Sequence, residues 1–279
     1  MIKISLEEVK SKIHQMRSFS PIAIELLESI SKEDVDRAQI VKKIALDQVL
    51  TAKTLRLANS SFYGLSYKVS SIDEAVVILG FYSIQTLTNA TLIIANLSDE
   101  TVDSTYVHSF WLHSISTAIC AKQLAKLCKL DQNLAFTTGL LHDIGKLILA
   151  TQFQAQYLQV DEYLKTHHCS RIVAELEILG VTHTEVAQLI TAHWKFPIEI
   201  QTAVGCHHDK IKMSSSKLTQ IVSLANILAH HIGSENEKLF APDISPCIYQ
   251  NLNLSPEVYV NLIAEAKEQC AEVLNILLN

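Results

Sequence analysis

Glycine and proline are scarce in this sequence, with only 7 Gly and 5 Pro among 279 residues. Both residues punctuate turns and loops, so their scarcity argues against a loop-rich or many-stranded fold. Strict alternation of apolar and polar residues over the length of a strand is also hard to find. The sequence therefore predicts an all-α protein, a multi-helix bundle.

Long apolar runs are missing as well. The longest candidate, residues 75–81, is far shorter than the roughly 18 apolar residues of a membrane span. Residues 1–12 alternate charged and apolar side chains and lack the apolar core of a signal peptide. We expect a cytoplasmic protein with no membrane partner.

The sequence also lacks an excess of positive charge. The net charge is -6, whereas a protein that binds nucleic acid needs a basic surface to neutralise phosphates. The six cysteines form no CxxC pair, and five of them lie in helix-like apolar patterns, which indicates reduced, buried thiols in a cytosolic compartment. A protein partner or a small ligand is expected, and nucleic acid is not.

Apolar residues recur at three- and four-residue steps in several segments, which predicts amphipathic helices at residues 21–31, 39–58, 72–79 and 107–129. Ser71 with Glu74 and Thr182 with Glu185 have capping-box spacing, and Gly80 is a predicted helix stop. The polar residues 98–105 separate two helical parts. We predict an N-terminal lobe at residues 1–98, a second lobe at 105–232 and a helical tail at 233–279.

Histidine is concentrated in the second lobe, where 11 of the 12 histidines lie between His108 and His231. His142 and Asp143 are adjacent, and neighbouring side chains on a helix point about 100° apart, so both can reach one site only near a helix end or a bend. We expect Gly145 to supply that bend. Combined with His113, with His183 at a capped helix start and with the tandem pair 207–208, the pattern predicts a metal site.

Imidazole and carboxylate ligands suit iron, manganese, zinc or nickel better than calcium. One or two ions would fit such a set of residues, and a two-metal cluster would activate water and clamp a phosphoryl oxygen. The expected cofactor is therefore a divalent transition metal.

Residues 140–146, Leu-Leu-His-Asp-Ile-Gly-Lys, resemble the motif of the HD superfamily of metal-dependent phosphohydrolases. Residues 57–64 and 69–80 resemble the signature of the HDOD family, the HD-related output domain, and the similarity extends over roughly residues 20–233. The resemblance implies two packed helical lobes in a bacterial signalling protein. Most members of that family are regarded as non-catalytic regulators because they have lost metal-binding residues.

Comparison with the related HD-GYP phosphodiesterases implies a ligand set of His113, His142, Asp143, His183, His207 and His208. Two departures count against catalysis. Asn226 stands where the superfamily has an aspartate, so only a weak, neutral ligand is expected there. Residues 209–211, Asp-Lys-Ile, stand where a Gly-Tyr-Pro segment would follow the paired histidines, which argues against recognition of a cyclic dinucleotide.

The resemblance also suggests catalytic roles for Asp143, which would bridge metals or position water, and for Lys146, which would contact a substrate phosphate. Lys146 has a plainer alternative as a solvated helix-end lysine favoured by the helix dipole. Glu177 and Glu185 are candidates for orienting a metal-bound histidine, although an exposed helix face explains both and capping already explains Glu185. The remaining histidines of the second lobe are expected to have no metal role: His108, His167, His168, His193, His230 and His231.

Residues 59–64 allow two interpretations. They form either a helix stop followed by an aromatic turn packed against the second lobe, or one wall of an interlobe groove that binds a partner. The whole pattern predicts a stand-alone HDOD-type regulatory protein that binds metal and acts through a signalling partner on a separate chain. The alternative is a metal-dependent phosphohydrolase that acts on a nucleotide or another small phosphorylated ligand.

Overall fold

The computed structural model describes residues 3–15, 36–60, 63–97, 104–209, 215–232, 251–252, 254 and 258–278. Over these residues the chain is built of helices joined by short turns and contains no strand. The prediction of an all-α bundle of two packed helical lobes is confirmed. The predicted helix at 21–31 lies outside the described residues.

Residues 1–98, the predicted N-terminal lobe, contain α1 (Leu6–Gln15), α2 (Arg37–Ala45), α3 (Gln48–Ala58) and α4 (Ile72–Leu97), although α1 packs against the helix at His183–His193 of the second lobe. The prediction of one continuous helix over 39–58 was wrong, because the chain breaks between α2 and α3. Asp47 causes the break, since its side chain accepts a hydrogen bond from the Leu50 amide and caps α3. Aspartate stabilises a helix start more than a helix interior, and this preference overrides the apolar periodicity.

Gly80 interrupts α4 with φ of 76°, a left-handed conformation that glycine adopts without strain. The predicted stop is therefore a kink, after which the helix resumes. A Cβ atom at Gly80 would lie 3.1 Å from Asn133 Nδ2, so the position also brings the two lobes close together. The amide of Glu74 donates to Ser71 Oγ at 3.2 Å, as the predicted capping spacing requires.

The second lobe begins with the long α5 (Ser104–Leu127), which confirms the helix predicted over 107–129. It continues through α6 (Gln132–Leu141), α7 (Ile144–Gln152), α8 (Gln154–His167), α9 (Arg171–Ile178), α10 (His183–His193), α11 (Ile198–Cys206) and α12 (Lys217–His230). Helix α13 (Val258–Leu278) follows.

Helix α5 lies at the centre of the second lobe and packs against α6, α12 and α13. Its interior face is buried over most of its length, including Trp111, Ile115, Ile119 and Leu124. Helix α6 also packs against α4, so the two lobes share one apolar core. Helix α13 packs on α5 and contacts both α3 and α4, which ties the C-terminal helix to both lobes.

The lobe limits predicted from the sequence stay predictions, and residues 98–103 lie outside the described part. Within the described part, no helix is both long and apolar enough to cross a membrane. The cysteines at 120, 128, 169, 206 and 270 are free, as expected, but only Cys120 and Cys270 are buried and the other three are half-buried.

Candidate metal centre

His142 and Asp143 form the junction between α6 and α7. His142 is the C-terminal cap of α6, and Asp143 precedes the first residue of α7. This break lets adjacent side chains reach one site, as the sequence predicted. Both side chains are fully buried, with at most 1% of their surface exposed.

Gly145 does not make the bend, and that expectation was wrong. It lies inside α7, and its role is close packing: a Cβ atom there would come within 1.9 Å of the His183 carbonyl oxygen and 2.9 Å of the Ala187 nitrogen. Glycine therefore allows α7 to approach the start of α10, which brings His183 next to Asp143.

Asp143 lies at the centre of the site, with imidazoles on both of its oxygens. Oδ2 lies 3.2 Å from His142 Nε2 and 3.6 Å from His113 Nε2. Oδ1 lies 3.3 Å from His183 Nε2 and 3.5 Å from His207 Nε2. The single carboxylate thus joins two groups of histidines that come from α5, from the ends of α6 and α11, and from α10.

Two overlapping clusters could each hold an ion. We call the first the Oδ2 cluster (His113, His142, Asp143) and the second the Oδ1 cluster (Asp143, His183, His207, His208). The ligand atoms within each cluster lie within 4.8 Å of one another. The structure therefore brings together all six of the residues that the family resemblance implied as ligands.

The outer ring nitrogens of three histidines are held by hydrogen-bond acceptors. Nδ1 of His142 lies 2.7 Å from the Gly139 carbonyl oxygen, and Nδ1 of His207 lies 2.8 Å from the Val204 carbonyl oxygen. Nδ1 of His183 lies 2.7 Å from Oε2 of the buried Glu175. Because a carbonyl or carboxylate only accepts, each Nδ1 carries the hydrogen, and in the neutral ring Nε2 presents its lone pair towards Asp143.

The inward-facing atoms lack protein partners. Among the described residues, Nε2 of His142, His183 and His207 and Oδ1 of Asp143 are buried without a hydrogen bond. Leaving buried polar atoms unpaired costs about 1–3 kcal/mol each. A cation in the Oδ1 cluster would satisfy three of these four atoms together, those of Asp143, His183 and His207. Two ligand atoms each about 2.1 Å from a tetrahedral ion lie about 3.4 Å apart, close to the Oδ1 distances to His183 and His207. These residues fit a transition metal.

Burial and neighbouring charges set the protonation states of the residues in the two clusters. Burial alone would raise the pKa of Asp143, but the neighbouring His142 and Lys146 hold that pKa well below its usual range. Burial lowers the pKa of His207 to about 4 and also lowers the pKa of His113. Burial would lower the pKa of His183 too, but Glu175 raises it above its ordinary value. Asp143 and His207 are therefore in their metal-binding forms at neutral pH.

Asn226 lies at the edge of the Oδ2 cluster, where its Oδ1 atom is 2.9 Å from His113 Nε2. The predicted weak ligand thus faces the cluster, but it already engages one of the cluster's ring nitrogens. His230, one turn later on α12, packs its ring against that of His113 with centroids 4.7 Å apart. The sequence analysis gave His230 no metal role, and it belongs to neither cluster.

Lys146 lies in the first turn of α7, and its ammonium group contacts Oδ2 of Asp143 directly. The alternative of a solvated lysine favoured by a helix C-terminus was therefore wrong. A cation at a helix N-terminus is unfavourable to the helix dipole, and the contact with Asp143 offsets that cost.

Glu175 is the residue that the sequence analysis missed. It lies on α9 and is fully buried, and its Oε2 atom also accepts the backbone N–H of His183 at 2.8 Å. The candidates proposed instead do not reach the site: Glu177 is exposed, and Glu185 completes the capping box with Thr182. Its position in the sequence could have identified Glu175, because it shares a helix face with the buried Leu179 one turn later.

The other histidines outside the clusters at 108, 167, 168 and 193 are exposed. His108, the nearest competitor of His113, thus faces away from the site.

The predicted helix stop at Asn59 is also observed, because α3 ends at Ala58 and the Asn59 side chain bonds to both the N–H and the carbonyl of Val69 at 2.8 Å.

Solved structures with the same fold come from several bacteria. A "Putative phosphohydrolase" from Shewanella amazonensis SB2B is 25% identical with a TM-score of 0.74, and the match covers 96% of this chain and 97% of that one. A "Putative signal transduction protein" from Marinobacter aquaeolei VT8 is 21% identical with a TM-score of 0.70, over 100% of this chain and 62% of that one. An "HDOD domain protein with unknown function" from Geobacter sulfurreducens is 21% identical with a TM-score of 0.68, over 97% and 95%.

A sequence relative from Treponema pallidum (strain Nichols), an "Uncharacterized protein", is 24% identical over 192 residues. The match covers 67% of this chain and 36% of that protein, so the chain spans about a third of the length of the curated relative that it matches. The profile of the HDOD domain matches residues 16–210, which is most of the chain. This chain belongs to the HDOD domain family.

Proposed function

We propose that this protein is a regulatory HDOD module that binds a divalent transition metal ion, with Fe, Mn, Zn and Ni as the candidate metals. The ion would be held by Asp143, His183, His207 and His208, and by His113 and His142 if a second ion binds. The signal would pass through contacts with a protein partner.

One observation carries the metal-binding part of this proposal. Four buried atoms around Asp143 lack hydrogen-bond partners, while the far nitrogens of three histidines are fixed by acceptors. Metal-bound histidines typically have this second contact, which fixes the tautomer and the ring orientation. A site stabilised by hydrogen bonds alone would not leave so many inward-facing atoms unpaired.

The two clusters differ in a way that favours unequal occupancy. In the Oδ2 cluster, the Lys146 ammonium contacts Oδ2 of Asp143 and Asn226 engages His113. Asn226 offers only a neutral oxygen, so a second cation gains no charge neutralisation from it. In the Oδ1 cluster, Nε2 of His183 and of His207 are free of such contacts. We therefore expect one tightly bound ion at the Oδ1 cluster and a weak second site.

A regulatory role follows from this asymmetry together with the family. Hydrolysis by a two-metal site needs both ions to stabilise the attacking and leaving oxygens. A weak second site would leave the protein able to bind metal but poor at that chemistry. The Marinobacter structure, named as a signal transduction protein, supports this direction.

The second candidate is a metal-dependent phosphohydrolase. It is supported by the carboxylate shared between two histidine groups and by Lys146, a cation beside that carboxylate. Bound metal would supply an activated water and a Lewis acid for a phosphoryl oxygen. The name of the Shewanella relative points the same way.

Elemental analysis of tag-free protein tests the proposal, with wild type compared with His207→Ala and with His193→Ala as an exposed control. We expect about one ion per chain in wild type and His193→Ala, and a loss of that ion in His207→Ala. Wild type that stays metal-free after reconstitution with Mn²⁺, Fe²⁺, Zn²⁺ and Ni²⁺ would contradict the proposal.

A phosphoesterase screen separates the two functions. Metal-loaded wild type is assayed against nucleotides and a generic aryl phosphate, beside His207→Ala prepared in the same way. Turnover that disappears in the variant would favour the hydrolase. Tight metal binding without turnover would favour the regulator.

A further inference from the structure

Glu175 is the inner end of a buried polar chain that extends away from the metal centre. Its Oε2 atom contacts His183, whereas its Oε1 atom lies 3.5 Å from the hydroxyl of Tyr157 on α8. The Tyr157 hydroxyl accepts a hydrogen bond at 3.4 Å from the guanidinium of Arg171, which also binds Asp161 at 3.0 Å. From Asp161 through Arg171 and Tyr157 to Glu175, these polar contacts cross three times between α8 and α9.

Burial increases along this chain from its outer end to its inner end. The side chains of Arg171 and Asp161 are about one-third exposed, at 32% and 35%. Tyr157 is 3% exposed and Glu175 is fully buried. The chain therefore joins a solvent-accessible ion pair to a residue in direct contact with His183.

From this geometry we propose that Tyr157 and Arg171 are positioning residues that act through Glu175 to hold His183 as a ligand in the Oδ1 cluster. The inference rests on the proposed metal-binding function and adds to it the residues that set the affinity of that cluster.

A buried carboxylate is costly unless its oxygens have partners and its charge is offset. Oε2 of Glu175 accepts from the backbone N–H and from Nδ1 of His183, and among the described residues Oε1 accepts from the Tyr157 hydroxyl. Arg171 in turn directs that hydroxyl and lies 5.7 Å from the Tyr157 ring centroid, a distance at which a guanidinium still attracts an aromatic ring. Without Tyr157 or Arg171, the carboxylate would lose part of the support that fixes its orientation.

A purely structural role is the competing explanation, because the same residues tie α8 to α9. That role predicts lower thermal stability but an unchanged environment for a bound ion. The positioning role predicts weaker binding and a changed ligand geometry. Co²⁺ distinguishes the two, since its visible absorption spectrum depends on the number and arrangement of its ligands.

The experiment measures Co²⁺ affinity by titration calorimetry and the Co²⁺ spectrum of the loaded protein in matched pairs of variants. Tyr157→Phe is paired with Tyr163→Phe on the same helix. Arg171→Met is paired with Arg37→Met, whose ion pair with Asp73 lies in the other lobe. Glu175→Gln is paired with Glu177→Gln on the same helix, where the side chain is exposed.

Glu175→Gln should weaken Co²⁺ binding by about 10- to 100-fold, the range seen for partners of metal-bound histidines. Tyr157→Phe and Arg171→Met, one step further away, should weaken it by about 3- to 10-fold and shift the spectrum. The paired controls should stay within about twofold of wild type. Melting curves of the metal-free proteins establish that each variant is folded.

Unchanged affinity and spectrum in both Tyr157→Phe and Arg171→Met, with Co²⁺ bound normally by wild type, would overturn this inference and leave the proposed metal binding intact. A wild type that binds no Co²⁺ would instead refute the proposed function, and this inference with it.

Discussion

Asn226 is the residue that weakens the second metal site in the function proposed above. Its oxygen lies 2.9 Å from His113 Nε2, and the Lys146 ammonium contacts the neighbouring oxygen of Asp143. A carboxylate at position 226 would pair with the same surroundings but add one negative charge. That charge would favour a cation in the Oδ2 cluster, because carboxylate ligands bind divalent ions more strongly than a neutral amide does.

Asn226→Asp is therefore predicted to raise the metal content from about one ion per chain towards two, measured by elemental analysis after reconstitution and desalting. Asn226→Ala is the matched control, since it removes the amide without adding charge, and it should keep about one ion. Equal metal content in all three proteins would contradict the assignment of a weak Oδ2 cluster.

Among the helices, the contact between α7 and α10 determines whether His183 reaches Asp143. Gly145 makes this contact possible, because any side chain would collide with the backbone of His183. The collision involves backbone atoms, so it cannot be relieved by rotating a side chain. The two helices would have to separate.

Gly145→Ala should consequently lower the free energy of unfolding by about 1–3 kcal/mol or more and reduce metal affinity, both measured on purified protein. Gly205→Ala is a suitable control, since the three nearest atoms to its Cβ belong to the side chain of Gln188, at 3.0–3.3 Å, and not to backbone. If Gly145→Ala kept wild-type stability and affinity, the proposed role of this close packing would be wrong.

The helices also show which local features could be predicted from sequence. The capping box around His183 and the helix break at His142 and Asp143 depend on neighbours in the chain, and both were predicted. The roles of Gly145 and Glu175 depend on a different helix coming close, which periodicity does not reveal. The split at Asp47 was missed because apolar spacing was given more weight than a single capping residue.

For the whole molecule, the sequence predicted the two-lobed helical bundle. It also predicted Asp143 and the five histidines grouped with it, because the family resemblance supplied their order. It did not predict that His113 contacts Asn226 and His230, because these contacts depend on how α5 and α12 pack. The contacts between the two lobes could not be predicted from the sequence either. One of them places Lys122 of the second lobe over the ring of Tyr63, whereas residues 61–62 of the suggested aromatic turn lie outside the described part.

Lys122 of the second lobe places its ammonium 3.9 Å from the centroid of the Tyr63 ring in the first. Burial, with a smaller contribution from Lys126, lowers the pKa of Lys122 to about 8. An unfolded lysine has a pKa of about 10.4, so between these values the unfolded chain holds a proton that the folded protein has released. Stability should then rise with pH across this window.

Urea unfolding of wild type and Lys122→Met at pH about 7 and about 9.5 tests this expectation. The unfolding free energy of wild type minus that of Lys122→Met should be larger at the higher pH, because the cost of burying the charge disappears as the lysine is neutralised. Lys126→Met, which replaces an exposed lysine one turn later, controls for the general effect of charge. A difference that does not depend on pH would contradict the burial of a charged Lys122.

Anomalous X-ray diffraction from crystals of Co²⁺-loaded protein tests most directly whether an ion binds at the Oδ1 cluster. We predict a strong anomalous peak about 2.0–2.2 Å from Asp143 Oδ1, His183 Nε2 and His207 Nε2. A fully loaded protein whose only anomalous peaks lie away from these three atoms would contradict it.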